Sequence, residues 1–448
     1  MIIWKPLILT IALWTLPALG SIKAYFNQNQ STSYIDPYRN FTRAGDNLEQ
    51  VLIDQVAQAK KTIYVAVQEF RLPNLARALI IKKNEGVDVR IVIEHDYNFS
   101  VLGQRDPGDD EYETTKLNEL VAFVDINKNG TFEKQELETR DAIYMLRMAK
   151  IPIMDDTQDD SQGSGLMHHK FMVIDGKSTV ISTANFTMSC VHGDMLAPAS
   201  RGNANSMVVV QSTALANIFV NEFSQLWGNG KRGNFGHNKT YRGPQKVSVR
   251  GISITVQFSP TSEKYNWEES VNGLIGEFVK RATTSVHAAL FVFSDQNIAN
   301  ELEKRSDAGV RMGFLVEPKF AYRDYSELLD MMGLQLLNPR CNYEFGNHPW
   351  KKAVAEVGMP YMPRGDVLHH KFGVIDRKTV LMGSQNWTES ANYINDETLI
   401  AIEDENIADL YTREYQRLKK NSMMGVNERL KFEIDNQEKS CMGQGRYF

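Results

Sequence analysis

The chain has 448 residues, enough for two domains of ordinary size, and its 42% hydrophobic and 23% charged residues are typical of a soluble globular protein. The formal net charge is −5, so the chain lacks the excess of basic residues that is typical of general nucleic-acid-binding proteins. The three cysteines, Cys190, Cys341 and Cys441, fit no zinc-site spacing, and we interpret them as structural thiols that allow at most one disulfide.

The N-terminal segment 1–20 differs from the rest of the chain. Lys5 precedes an apolar run of about 14 residues, and Ala18-Leu19-Gly20 places small residues where a signal peptidase reads. The run is shorter than the ~20 residues that span a bilayer. The pattern predicts a signal peptide, with an uncleaved membrane anchor as the alternative. We therefore expect a protein that is exported to the periplasm, a lumen or the outside, or is anchored to a membrane by this segment.

An internal repeat organises the remainder of the chain. The strand-like run 61–70 is similar to 284–293, and 86–94 is similar to 309–317, both at an offset of 223 residues (284 − 61). A helical stretch precedes each run, so strands and helices alternate.

The repeat predicts two homologous α/β halves, at about 40–230 and 250–420. Each half is expected to be a mainly parallel sheet with helices on both faces. The Gly-rich segment 228–251 is the expected junction, and 421–448 is expected to be a peripheral tail.

The first half carries about 40 additional residues, an insertion at about 97–140. It contains a twelve-residue stretch with Gly130 at position 6 and oxygen-bearing residues at positions 1, 3, 5, 7, 9 and 12, which are Asp125, Asn127, Asn129, Thr131 (through its carbonyl), Glu133 and Glu136. This spacing matches an EF-hand calcium loop. The sequence predicts a Ca²⁺ site of weak affinity with a structural or regulatory role; a helical hairpin with an Asn-Gly turn is the alternative.

Each half contains an H-x-K-x4-D motif on a predicted strand. The first comprises His168, Lys170 and Asp175, and the second comprises His369, Lys371 and Asp376. Because strand residues i and i+2 share a face, His and Lys of each motif point the same way, and His169 and His370 point the other way.

An asparagine follows each motif at the same distance, at Asn185 and at Asn386. Two Lys and two Asn provide the donors for the charged oxygens of one phosphate. Two His allow one to attack phosphorus and form a phosphohistidine while the other protonates the leaving oxygen and then activates water or an alcohol. This chemistry requires no metal, since the lysines neutralise the charge.

The doubled H-x-K-x4-D motif, each copy followed by its asparagine, resembles the phospholipase D superfamily, and the repeat covers most of residues 45–420. The resemblance implies two α/β halves packed face to face around one active site. It also implies that His168 is the nucleophile and His369 the general acid and base.

The family pattern also implies a carboxylate after each motif that orients a catalytic histidine. Glu397 fills this position in the second half, and we expect it to orient His369. In the first half Asn205 stands at the aligned position and is expected to orient His168, unless Asp194 substitutes for it. We interpret Asp175 and Asp376 as structural residues that pair locally across the halves.

Four functions remain open on the sequence alone. The leading one is a phospholipase D that hydrolyses or transfers a phospholipid head group at a membrane surface. The others are an exported nuclease that cleaves DNA or RNA by the same mechanism, a lipid synthase that makes a new phosphodiester by transfer, and an inactive calcium-dependent binding module. Both complete His/Lys/Asn sets argue against the last.

Overall fold

The computed structural model describes residues 21–159 and 165–442, in two halves that each centre on one large sheet. The predicted segment 1–20 lies outside the described residues. In residues 21–159 and 165–442, no helix has the length and apolar character needed to cross a membrane.

The first half contains nine strands and seven helices among its described residues. The strands are β1 (Ile22–Phe26), β2 (Ser33–Ile35), β3 (Thr42–Ala44), β4 (Thr62–Val67), β5 (Asp88–Ile93), β6 (Ile153–Asp155), β7 (Lys170–Ile174), β8 (Ser178–Ser182) and β9 (Ser206–Gln211). The helices are α1 (Leu48–Ala57), α2 (Pro73–Asn84), α3 (Glu111–Val124), α4 (Lys134–Arg140), α5 (Ala142–Met148), α6 (Met188–Val191) and α7 (Thr213–Trp227).

The second half repeats this pattern but lacks the helices α3 and α4 that follow β5 in the first half. Its strands are β10 (Gln245–Val249), β11 (Ile252–Phe258), β12 (Ser285–Leu290), β13 (Arg311–Val316), β14 (Val357–Pro360), β15 (Lys371–Ile375), β16 (Thr379–Gly383), β17 (Thr398–Glu403) and β18 (Ser422–Met424). Its helices are α8 (Val271–Lys280), α9 (Gln296–Asp307), α10 (Glu327–Met331), α11 (Glu389–Tyr393), α12 (Glu405–Lys419) and α13 (Glu428–Met442).

Both large sheets are mixed. Their orders are β1-β9-β8-β7-β4-β5-β6 and β10-β11-β17-β16-β15-β12-β13-β14-β18. Among the named strands, parallel pairing joins β4-β5-β6 and β12-β13-β14, where a helix returns the chain between the first two strands of each run. The α/β class is confirmed. The sheets carry more antiparallel pairs than predicted, because β7, β8 and their counterparts are joined by short turns.

A shared core joins the halves. It combines residues of β7 and α7 with residues of β15 and α12, including Phe171, Phe219, Phe372 and Tyr411, all fully buried. A separate cluster under α1, α2 and α5 fills the outer face of the first sheet, and one under α8 and α9 fills that of the second. This packing brings the two motif strands, β7 and β15, toward the same interface.

The C-terminal segment is joined more closely to the second half than predicted. Its described part, 421–442, is not wholly peripheral, because β18 extends the second sheet beside β14 and Leu430 is fully buried. Cys341 and Cys441 form the one disulfide that the sequence allows, which ties this segment to the loop before β14, while Cys190 is free and buried.

Candidate active site

The two histidines enter the site through matching backbone contacts across the interface. His168 N–H donates to the carbonyl of Asp396 at 3.0 Å, and His369 N–H donates to the carbonyl of Ala204 at 3.1 Å. The backbone of each motif histidine therefore lies beside the residue that precedes Glu397 or Asn205 in the opposite half.

The orienting partners are exchanged between the halves, which corrects the assignment made from the sequence. His168 Nδ1 lies 2.7 Å from Glu397 Oε2, and His369 Nδ1 lies 3.0 Å from Asn205 Oδ1. The sequence alignment paired each side chain with the histidine of its own half, but the strand ends before β9 and β17 face the opposite motif. Among the described residues no hydrogen bond joins Asp194 to His168, so Asp194 does not substitute.

These contacts determine which imidazole nitrogen faces the site. The amide of Asn205 is fixed, because its Nδ2 donates to the carbonyls of Cys190 and Asn203 at 3.0 Å each, which leaves Oδ1 as an acceptor toward His369. Glu397 is likewise an acceptor toward His168 when ionised. Both histidines then carry their proton on Nδ1 and present Nε2 as a free base.

The two lysines lie with the histidines in one buried site. Lys170 Nζ donates to the carbonyl of His168 at 2.8 Å, and Lys371 Nζ donates to that of His369 at 2.9 Å. Lys170 and Lys371 are 1% exposed, and the histidines are 7% and 8% exposed. The small opening limits water access and strengthens the charge interactions inside.

The pKa values in the site shift in the direction that burial dictates. Burial lowers the pKa of His168 and of His369, and the positive charges of both lysines add to this. Burial lowers the pKa of Lys170 to about 8 and that of Lys371 well below its usual range, with Lys170 adding repulsion to the latter. Burial raises the pKa of Glu397 to about 7, against the attraction of Lys170. A bound anion would relieve the repulsion between the two lysines.

Asn185 and Asn386 follow the ends of β8 and β16, and Asn185 shares the acceptor Gln68 with Lys170. Asn185 Nδ2 donates to Gln68 Oε1 at 3.2 Å. The Oδ1 atoms of both asparagines are buried and have no hydrogen-bond partner among residues 21–159 and 165–442. The site thus contains two buried amide oxygens whose capacity to accept a hydrogen bond is unused.

Asp175 and Asp376 lie outside this site, and within the part of the chain that the structure describes no contact pairs them across the halves as predicted. Asp175 accepts backbone N–H groups of the loop before β4, at Lys60, Lys61 and Thr62, within 2.7–2.9 Å. Asp376 accepts those of Thr283, Thr284 and Ser285 in the same way. Each aspartate stands roughly 17 Å along its strand from the motif lysine. Their role is structural, as predicted, but it is confined to their own half.

The neighbouring histidines, His169 and His370, point away from the site as expected. His169 Nε2 lies 3.0 Å from Glu222, and His370 Nε2 lies 2.9 Å from Glu414. Both pairs are buried under the motif strands, so they support the strands and do not face the cleft.

Two glutamates that sequence reasoning did not select hold the motif backbones. Glu94 Oε2 accepts the N–H of Met167 at 2.8 Å, and Glu317 Oε2 accepts that of Leu368 at 2.7 Å. Burial raises the pKa of Glu317 to about 7 and also raises that of Glu94. Their equal place in the repeat, 223 residues apart, was the signal that could have identified them.

The calcium-loop residues lie between α3 and α4, apart from the histidines. Gly130 has φ 78°, and the carboxylate of Glu136 reaches back to the N–H groups of Ile126, at 2.7 Å, and Asn127. Asp125 accepts from Asn129 and Gly130. Other contacts remain within the loop: the side chains of Asn127 and Asn129 donate to Glu133, and Thr131 donates to Asn129. The segment thus forms a helix–loop–helix whose carboxylates bond to the loop's own backbone and amide groups.

Comparison with known proteins identifies the family to which the chain is similar. The family described as "Cardiolipin synthase, PLD-like domain" matches residues 52–227 and 275–419. Mitochondrial cardiolipin hydrolase of Xenopus laevis is 24% identical over 176 residues, 39% of this chain and 59% of that protein. Phospholipase D of Rickettsia bellii (strain RML369-C) is 27% identical over 172 residues, 38% of this chain and 75% of that protein.

Among solved structures, phosphatidylserine synthase of Haemophilus influenzae Rd KW20 is similar over 94% of this chain and 93% of its own, with a TM-score of 0.56 and 12% identity. At this identity the likeness concerns the fold alone: two α/β lobes in one chain. The match to the Xenopus relative spans about three fifths of that protein's length.

Proposed function

The chain belongs to the phospholipase D-like domain family, and from this premise we propose that it cleaves a phospholipid phosphodiester at the head group through a phosphohistidine intermediate. The observation that supports this most is the convergence of two oriented imidazoles and two buried lysines in one site. The similarity of the chain to a cardiolipin hydrolase and a phospholipase D favours a phospholipid substrate.

In the first step His168 Nε2 attacks phosphorus and the bond to the leaving alcohol breaks. Glu397, bonded to Nδ1–H, stabilises the positive charge that the imidazole acquires when the N–P bond forms. Lys170, Lys371 and the asparagine amides hold the charged phosphoryl oxygens. His369, protonated when the phosphate charge offsets the lysines, gives its Nε2 proton to the leaving oxygen.

In the second step His369 takes a proton from water, which attacks phosphorus and breaks the N–P bond. Two displacements give net retention at phosphorus. An alcohol in place of water gives transfer, and the product made in the presence of added ethanol separates transfer from hydrolysis.

The test uses the full chain with phosphatidylcholine or cardiolipin vesicles and measures head-group release. His168→Asn and His369→Asn are expected to abolish release, while His237→Asn, the same change at an exposed site, keeps it. Thermal unfolding shows that each variant is folded. If wild type releases nothing from any vesicle but cleaves single- or double-stranded DNA or RNA, the nuclease is the correct function.

We further propose that the Asp125–Glu136 loop binds Ca²⁺ and that the protein is exported or held at a membrane. Oxygen donors and the fold of the loop support the first, and no step of the chemistry passes through the ion. The Cys341–Cys441 disulfide supports the second, since disulfides persist in oxidising compartments. Calorimetry with Ca²⁺ on wild type and Glu136→Gln tests the loop.

A further inference from the structure

The two halves share their His, Lys and Asn but, besides the orienting residues Asn205 and Glu397, differ at the position that follows the strand beside each motif lysine. Gln68 and Phe291 occupy the same place in the repeat (291 − 68 = 223), directly after β4 and β12. We propose that they are positioning residues with different roles. Gln68 holds Lys170 and Asn185 in place to bind phosphate, a pair called the phosphate grip below, and Phe291 holds the His369 imidazole in place. This rests on the proposed function.

Strand register places both side chains against the motifs. Val67 pairs with Lys170 and Leu290 pairs with Lys371. The next N–H along each strand continues the ladder, from Gln68 to the carbonyl of His169 at 3.0 Å and from Phe291 to that of His370 at 2.8 Å. Each residue is therefore held by backbone bonds at the edge of the cleft, whatever its side chain.

Gln68 joins two phosphate-binding groups through one oxygen. Its Oε1 accepts from Lys170 Nζ at 3.3 Å and from Asn185 Nδ2 at 3.2 Å, and the residue is 9% exposed. With His168 O as a second acceptor, two of the three ammonium N–H groups of Lys170 are fixed and the third is left for a ligand. The grip is thus formed before substrate arrives, which lowers the cost of binding.

Phe291 offers no acceptor and contacts different groups. Its ring centroid lies 4.9 Å from that of His369 in an edge-to-face arrangement and 4.8 Å from Lys371 Nζ. Phe320 packs edge to face on the Phe291 ring, with 4.9 Å between the ring centroids. Phe320 occupies the position in the repeat that the polar Tyr97 occupies in the first half. The second half therefore packs an aromatic ring against His369 and Lys371, where the first half hydrogen-bonds Lys170 and Asn185.

The first test removes the Gln68 acceptor without changing the length of the side chain. In Gln68→Met, calorimetry is expected to show about tenfold weaker binding of inorganic phosphate, since a hydrogen bond to a charged group is lost. KM for vesicles is expected to rise by a similar factor, with a smaller change in kcat. Gln68→Leu serves as the second variant if Gln68→Met unfolds.

The second test concerns Phe291. In Phe291→Leu, kcat is expected to fall about tenfold and the limb of its pH profile that reports His369 to move, because the imidazole is less tightly held and more hydrated. Its phosphate affinity is expected to change less than that of Gln68→Met. Phosphate binding at wild-type strength in a folded Gln68 variant, or the same KM–kcat pattern in both variants, would overturn the division.

The phosphate measurement needs no turnover, so it separates this inference from the proposed function. Wild type that binds phosphate but cleaves no phospholipid contradicts the proposed function and leaves the role of Gln68 supported. Wild type that binds no phosphate contradicts the grip itself. Cleavage with unchanged phosphate affinity in the Gln68 variants contradicts only the positioning role.

Discussion

The crossed pair His168–Glu397 predicts a graded response to substitution. Glu397→Gln keeps an acceptor for Nδ1–H but removes the charge. A hydrogen bond to a charged group contributes ~1.5–3 kcal/mol and a neutral one about 1 kcal/mol, so the loss of about 1–2 kcal/mol lowers kcat roughly 5- to 30-fold. Glu397→Ala also leaves the buried Nδ1–H unpaired, and a total of about 3–4 kcal/mol lowers kcat about 10²–10³-fold.

The assay is kcat on saturating vesicles from pH 5 to 9, with single-turnover trapping of the phosphoenzyme. Because burial raises the pKa of Glu397 to about 7 in the free protein, wild-type kcat/KM, measured over the same range, is expected to rise through pH 7 as the carboxyl ionises, and this limb is lost in Glu397→Gln. Asn205→Ala, which unpairs His369, is the matched comparison. A Gln variant within twofold of wild type, or as slow as the Ala variant, would refute a role for the charge.

Three further predictions concern stability. Burial raises the pKa of Glu317 to about 7, so its protonated form stabilises the fold below pH 4.5 and this stabilisation is lost as pH rises through 7. Denaturant titrations should show a fall in unfolding free energy over this window that is about 3 kcal/mol smaller in Glu317→Gln than in wild type. Cys341→Ser opens a bridge between residues 100 apart and should lower the unfolding free energy by about 2–4 kcal/mol, whereas Cys190→Ser, which breaks no bridge, is its control. Ca²⁺ at about 100 times its Kd should add about 2.7 kcal/mol in wild type, an increase that a Glu136→Gln variant should not show; an equal increase in both would place the ion elsewhere.

The repeat made most of the architecture predictable. A constant offset through two strands and a helix is enough to infer homologous halves, and alternation along β7 and β15 is enough to place His168 and Lys170 on one face. The sheet directions were less accessible, because a short turn after Ile174 or Ile375 reverses the chain and only the structure shows that the reversed strand pairs with its neighbour.

The exchange of orienting partners could not be predicted from sequence alignment. Alignment relates Asn205 to Glu397 as equivalents, but it carries no information about which motif each one faces across the interface. The disulfide was hidden for the same reason: Cys341 and Cys441 approach because α13 folds back on the second half. Glu94 and Glu317 were visible in the repeat, but their function depends on a backbone contact that the sequence does not show.

The exchanged partners also make catalysis a property that neither half holds alone. Each imidazole takes its orienting group from the opposite half, through His168–Glu397 in one direction and His369–Asn205 in the other. By the proposed mechanism, a chain in which the halves are not packed against each other lacks both orienting contacts and should be inactive. In refolding, activity should return after secondary structure has formed, with docking as the last event. An enzyme exported as proposed would therefore remain inactive toward the lipids of the membrane it crosses until it has been translocated and its two halves have packed together.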